Sequence, residues 1–553
     1  LNLRRSLIVI LYILALSLSA VSAQRDGETL TVRLNDEGFN SIDPIFAGDL
    51  SSQQALHQLY VGLTRIDPIT NTVVPGIVES WSQTPFPDNI RVYRFNMREN
   101  IPWVRYDPEL NEVVQVTDAG GRARMVTHQD AVYGLLRALD SEFATENSMH
   151  LAEIILNGVE YVNGEVTADD IGISVNVDDF TITVNNPHVD LPRLLTEVQF
   201  VPQPAWLIEE RGNDWAQADN FVSYGPYALF SWTTGGDMTL ITNPYWQGTD
   251  AIPRPNIDNL TFTFLTDEDA LLAYDAGELD MIVNAPTTDM TFLREQYPDE
   301  FTQYPRAQVH FFGVNLRENY ATTDPNVRQA LAQSIDLEAL ADIITSSGNM
   351  SATRFVPAPT SDADGVDVST LGFNLSQAQS ALARVTGDDI SIGMVYLNTP
   401  YYATLAQAVA EQWETQLGIE IELYPQDAEG SIVNREFAAV WLFNSFADTP
   451  MSDSYFAPFV TGEDLSVAST FEDEAYDATF NEAFVTIPPE VDGQPVAPID
   501  RTPLISTLET TLIDNVIVIP ISWEADNELT KPYVQRTPTH NGLRSFEQWL
   551  VSN

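Results

Sequence analysis

Residues 257–283 read IDNLTFTFLTDEDALLAYDAGELDMIV. The stretch is a strand, a helix, a turn at Gly277 and a second strand. That order predicts a βαβ unit with a parallel sheet, and so an α/β fold. The segments downstream have the same character. QVHFFGVNL (308–316) reads as a buried strand and DPNVRQALAQSIDLEALADII (324–344) as a strong helix, with Asp324 as cap and Pro325 in its first turn. SIGMVYL, TLAQAVAEQWETQLG and IEIELYP (391–397, 404–418, 419–425) give strand, helix, strand again. LISTLETTLIDNVIVIPISW (504–523) is a helix running into a strand.

Upstream, ETLTVRL (28–34) opens with a strand, followed by a polar, Gly-containing loop. SSQQALHQLYVGL (51–63) predicts a helix with a Ser N-cap. RVYRFNMREN (91–100) alternates like a half-buried strand. VTHQDAVYGLLRAL (126–139) is a helix with Thr127 as cap and Asp130 three residues on. ISVNVDDFTITVNNP (173–187) reads as a hairpin turning at Asp178-Asp179. The next feature is aromatic. SYGPYALFSW (223–232) and TNPYWQG (242–248) place many rings around Gly and Pro turns, as in a hairpin. Pro- and Asp-rich stretches at 355–370 and 485–503 read as surface loops.

Composition bounds the function. The 553 residues exceed one ordinary core, so two or three domains are expected. Acidic residues number 79 against 26 basic ones, a net charge of −53, and Lys531 is the single lysine. Nucleic acid and anionic membranes would repel such a surface. No cysteine is present, which removes disulfides, thiolate metal sites, thiol catalysis and an N-terminal lipid-anchor Cys. LNLRR, then SLIVILYILALSLSA, then VSA reads as an export signal over 1–23 with cleavage after Ala23; retention of the same run as a membrane anchor is the alternative.

Catalytic motifs are missing: no P-loop, HExxH, GxSxG or GxGxxG occurs. The six histidines, His310 among them, lack metal-ligand spacing and read as surface or packing residues. The acid clusters TDEDA and FEDEAYD are expected by chance in so acidic a chain. No cofactor and no metal are therefore expected.

The order of segments resembles a known family. VVPGIVESW (73–81), YRFNMREN (93–100), VTHQDAVYGL (126–135), YGPYALFSW with NPYWQG (224–248), LLAYDAGELDM (271–281) and VRQALAQSIDLEAL (327–340) are similar, in the right order, to motifs of extracellular solute-binding proteins of ABC importers, family 5, the peptide/nickel-binding type. The resemblance implies a two-lobed periplasmic-binding-protein-like fold of type II with an extra subdomain on lobe one. Mapped onto this chain, lobe I comprises 24–60, 191–275 and 524–553, the subdomain 61–190 and lobe II 276–523. It implies a hinge-closing, non-enzymatic protein that takes a short peptide or an oligosaccharide, acts as a monomer outside the cytoplasm and docks on a membrane permease.

The resemblance also implies a ligand set. The Tyr224-Gly225 turn would face the cleft, with Tyr224 where a small Thr is common, and Phe39 joins it from lobe I. Trp441 counts in the ligand set, and an amine-binding acid falls on Asn444 if Trp441 sets the register, or on Asp448 if the Ala-Asp pair does. The carboxylate-binding Arg of dipeptide binders falls on Tyr396, followed by Asn398, which puts ionic recognition in doubt; Arg354 is the substitute cation. Two rival functions remain at this stage: a secreted hydrolase of peptides or glycans, and a ligand-sensing protein that presents to a receptor.

Overall fold

The computed structural model describes residues 28–552 except 40, 70–71, 86–89, 144, 186–190, 286–289, 358–359, 361–362, 364–365, 369, 387–389, 447–451, 486–500 and 538–541. The expected signal at 1–23 and Asp448 lie outside the described residues.

Strand β1 (Thr29–Asn35) buries Leu30, Val32 and Leu34. Helix α1 (Leu50–Leu59) follows, and its cap is Asp49, whose carboxylate accepts from the Ser52 amide at 2.9 Å. The sequence pointed to the neighbouring serines; an aspartate caps at least as well. Strands β2 (Val78–Pro85) and β3 (Arg91–Met97) precede helix α2 (His128–Ala138), in which Asp130 accepts from the Thr127 amide at 2.8 Å as the sequence predicts. Strands β4 (Ile173–Val175) and β5 (Phe180–Val184) complete a four-stranded antiparallel sheet ordered β2-β3-β5-β4.

The aromatic stretch forms the hairpin β6 (Tyr227–Trp232) and β7 (Met238–Thr242). The βαβ unit is β8 (Asn259–Phe264), α3 (Asp267–Asp275) and β9 (Met281–Ile282). Strand β1 inserts between its two arms and pairs parallel with both. Then come β10 (Phe301–Val314), α4 (Pro325–Gln333), β11 (Ser391–Leu397), α5 (Pro400–Leu417), β12 (Glu420–Gln426), β13 (Val440–Phe446), α6 (Thr502–Asp514) and β14 (Val518–Thr530). One eleven-stranded sheet runs β6-β7-β8-β1-β9-β14-β10-β13-β11-β12, with Met350–Ser351 added on β14.

That sheet serves two lobes. Strands β10 and β14, of 14 and 13 residues, span both. At one end Phe301 and Leu529 pack with Tyr274, Leu293 and Tyr297. At the other, Val309, Phe311 and Trp523 enter a core with Phe355 and Leu508, while Phe312 and Ile519 enter one with Leu405 and Trp413. The ladder between the two strands slips between Pro305 and Val309. Proline lacks the N–H that would continue it. Leu279, Ile282, Met290, Leu293 and Tyr297, which follow the boundary at 276 expected from sequence, pack in one core with Ala270 and Tyr274 from before it. The four-stranded sheet shares one core with lobe I, through Phe95, Phe180 and Trp103.

His57, near the end of α1, is buried, and burial together with the Arg65 charge holds its pKa down from 6.5 to about 3. The unfolded chain binds a proton there that the folded one refuses, so stability is lost as pH falls from 6.5 towards 3. The melting temperature should therefore drop on acidification from pH 6.5 to 4. His57→Gln should flatten that slope; a calorimetric profile unchanged by the substitution would contradict it.

Candidate functional site

The register fixes where the two lobes face each other. Strand β9 pairs Met281 with Thr530 and Ile282 with Leu529, so it advances along β14 towards Ala525, opposite Pro305 at the crossing. Strands β1 and β8 run parallel to β9 and end on the same side. In the second lobe β13 is antiparallel to β10 and reaches Phe446 opposite Gln308, and β11 runs parallel to β13. The carboxyl ends of the parallel strands of both lobes thus point to the crossing. In open α/β sheets ligands bind outside those ends.

Lobe I offers aromatic surface there. Trp232 ends β6, and Phe39 stacks on it at 5.8 Å and meets Phe264 edge-on at 5.4 Å. Phe39 itself is 3% exposed, so Trp232 carries the accessible face. The amino end of α1 lies at the same edge, since Asn35 donates to Ser51 Oγ at 3.0 Å. Just before it stands Phe46, 52% exposed, a residue the sequence reading passed over. A second phenylalanine seven residues after Phe39, in the polar loop that follows a parallel strand, is the signal that could have found it. The loop is pinned from below. Asp43 accepts from both Nη atoms of Arg137 at 2.7 Å and from Trp215 Nε1 at 3.0 Å, all buried.

Lobe II offers polar side chains. His310, Asn444 and Ser522 are directly paired across β10, β13 and β14 and so share one sheet face. Asn398 follows β11 at the same edge and is exposed; its amide donates to the Gln426 carbonyl at 2.8 Å. Asn444 is half-buried, and its side chain has no hydrogen-bond partner among the described residues. The rings of Tyr401 and Tyr402, in the first turn of α5, cover His310, with Tyr402 Oη 2.8 Å from His310 Nδ1. At the crossing, Arg306 reaches Glu524 at 3.0 Å and Asp526 at 3.7 Å. Behind it Glu528 pairs with both Arg536 and Arg544. Among the described residues no cluster of His, Asp and Glu is placed to hold a metal ion.

The other residues named from sequence lie elsewhere. Tyr224 is fully buried at the opposite end of β6, roughly 17 Å of strand from Trp232. Its hydroxyl donates to the Val61 carbonyl at 2.9 Å, and its ring meets Trp103 and Tyr60 edge-on at 5.0 and 5.3 Å. The Gly225 amide donates to the Leu59 carbonyl at 2.8 Å, and a Cβ there would stand 2.7 Å from that carbonyl. The Tyr-Gly-Pro-Tyr turn is therefore the clamp that fastens the end of α1 to the hairpin. Arg354 is buried and spends its donors on Glu509 and the carbonyls of Ala363 and Val366. Trp441 is 1% exposed and lies over Gly313, where a Cβ would come within 2.2 Å of its ring. Tyr396 is 4% exposed, in the core under α5. Of the sequence-derived set, the edge of lobe II brings together Asn398 and Asn444.

Comparison with known proteins places this arrangement. The model for bacterial extracellular solute-binding proteins, family 5 Middle, matches residues 72–466. The periplasmic oligopeptide-binding protein OppA of Escherichia coli is 24% identical over 518 residues, 91% of this chain and 88% of the relative. The periplasmic murein tripeptide-binding protein MppA in its unliganded open form superposes with a TM-score of 0.79 at 21% identity, covering 95% of this chain and 98% of the other. Haemophilus influenzae OppA in complex with the peptide RPPGFSPFR gives 0.60 at 19% identity, over 96% and 99%.

Trp441→Ala should cost about 3–5 kcal/mol of stability, the usual range for emptying a large aromatic site. Tyr224→Phe should cost about 1 kcal/mol by losing one buried hydrogen bond, and Tyr224→Thr several times more. Denaturant melts measure all three. Wild-type stability in Trp441→Ala would show that the ring is not packed as described.

Proposed function

The chain belongs to family 5 of the bacterial extracellular solute-binding proteins, and on that premise we propose that it captures a short peptide between its lobes and hands it to the permease of an ABC importer. One observation carries the reading: two strands join two separately cored lobes whose strand carboxyl ends face the same space. The better superposition on an unliganded open form than on a peptide complex supports an open resting state. Closure would press the aromatic edge of lobe I, Trp232 and Phe46, onto the polar edge of lobe II, Asn398 and Asn444. Aromatic faces supply contact area, and a few polar groups fix orientation.

The protein acts by binding and release rather than turnover. The two asparagines donate and accept hydrogen bonds, and His310 and Ser522 beside them are each bonded to a tyrosine rather than to each other. The protein works as a monomer on the outer side of the cytoplasmic membrane, held there by a periplasm or by its own retained signal. Among the described residues no helix is long and apolar enough to cross a membrane.

Native mass spectrometry of gently purified protein should show a co-purified short peptide. Titration with short peptides should give dissociation constants near micromolar, about −8 kcal/mol, with a fall in the radius of gyration by X-ray scattering as the lobes close. A retained oligosaccharide would replace the peptide reading, and cleavage of the added peptide would overturn the binding-only one.

A further inference from the structure

The carboxyl edge of lobe II carries a histidine that packing alone does not explain. His310 is paired in register with Asn444 on one side and Ser522 on the other. One row deeper the same face is apolar, with Phe312 and Leu442 in the core. The row is thus the boundary between core and cleft, and every member of it is polar and neutral.

His310 is 7% exposed, and burial lowers its pKa from 6.5 to about 4, so the ring is neutral at working pH. A neutral imidazole has one donor nitrogen and one acceptor nitrogen. Tyr402, also 7% exposed, decides which is which. Its hydroxyl touches Nδ1 and has no other hydrogen-bond partner among the described residues. If Nδ1 carried the proton, the phenol would be left a buried donor without an acceptor, which is costly. The hydroxyl therefore donates to Nδ1, and the imidazole proton sits on Nε2. Tyr401, locked by its contact with Ser522 Oγ at 2.6 Å, packs beside Tyr402 and meets the imidazole edge-on at 5.3 Å. Nε2 has no partner within the protein among the described residues.

We infer that His310 is a specificity-determining residue that donates from Nε2 to an acceptor oxygen of the bound solute, and that Tyr402 is the positioning residue that keeps the proton on Nε2. The inference rests on the binding reading above. The acceptor is a carbonyl or carboxylate oxygen. A cation, or a group that only donates, is rejected there, because Nε2–H cannot accept.

Two measurements test it. Nitrogen-15 NMR of the histidine rings, with His310 assigned by loss of its signals in His310→Gln, should show the Nε2–H form in the ligand-free protein. The Nδ1–H form would overturn the inference whether or not a peptide binds. Calorimetry with trialanine and trialanine amide then reads the contact. His310→Phe, made together with Tyr402→Phe so that no phenol is orphaned, should weaken trialanine binding at least tenfold while the melting temperature moves little. His310→Gln, which restores a donor, should stay within about threefold of wild type. Tyr402→Phe should fall between them. If the amide binds wild type as weakly as the free acid binds the double variant, the acceptor is the terminal carboxylate; if it binds like the acid, the acceptor is a peptide carbonyl. Wild-type affinity in the double variant, or loss of affinity together with stability, sinks the proposal. A wild-type protein that binds neither compound would count against the function proposed above, leaving the tautomer to decide the inference.

Discussion

The ladder between β10 and β14 governs the rest of the molecule. It is continuous in lobe I, broken at the crossing, and resumes in lobe II with one further shift between His310 and Phe311. A break in backbone pairing is where two rigid bodies can rotate without tearing a sheet. Pro305 supplies it by lacking a donor, and the slip leaves residues 306–308 opposite little more than Glu524. Each lobe must then be stable alone. Lobe I with its subdomain closes around Leu30, Phe95 and Trp103, and lobe II is packed on both sheet faces, by Trp413 on one and Phe355 on the other.

Opening the ladder exposes polar backbone and tolerates charge, and both are met locally. Arg306 bridges Glu524 and Asp526 across the gap, and the Arg536–Glu528–Arg544 group sits behind it on the lobe I side. Gln303 and Asn527, one from each crossing strand, both donate to the Gly348 carbonyl, at 2.9 and 3.1 Å. That contact ties lobe I's end of the hinge to a loop of lobe II and limits how far the lobes swing. Two other buried charges are held in closed sets: Arg354 with Glu509, and Arg137 with Asp43 and Trp215. Breaking such a set strands a charge, which is why these pairs hold loops in place rather than wait for ligands.

Much of this was legible in the sequence. The βαβ unit, the Asp324 and Thr127 caps and the aromatic hairpin each follow from periodicity and turn chemistry, and the two-lobed fold from the order of motifs. What failed was the step from motif to surface. Tyr224 and Trp441 are conspicuous because each must fit a glycine beside it, Gly225 against Leu59 and Gly313 under the Trp441 ring, and that kind of fit belongs to cores. Arg354 looked free because its partner Glu509 lies 155 residues away, beyond any local pattern. No local pattern marks the packing across position 276 either: Leu529 returns from the far end of the chain to close the core that Tyr274 and Leu293 share.

The residues that face the cleft are inconspicuous for the same physics. A ligand surface in an open lobe cannot be built from strongly self-complementary groups, since they would satisfy one another before a solute arrived. On the reading proposed above, the edge of lobe II offers neutral amides and one imidazole, groups that make a ligand hydrogen bond without a charge to neutralise. The chain's net charge of −53 makes that neutrality informative. An acidic surface raises the local concentration of cationic solutes, yet the charges nearest the crossing are already paired, Arg306 with Glu524 and Asp526, and Glu528 with Arg536 and Arg544. Attraction at a distance and recognition at contact are thereby separated. The field gathers solutes broadly, and the hydrogen-bond pattern of an uncharged row sorts them.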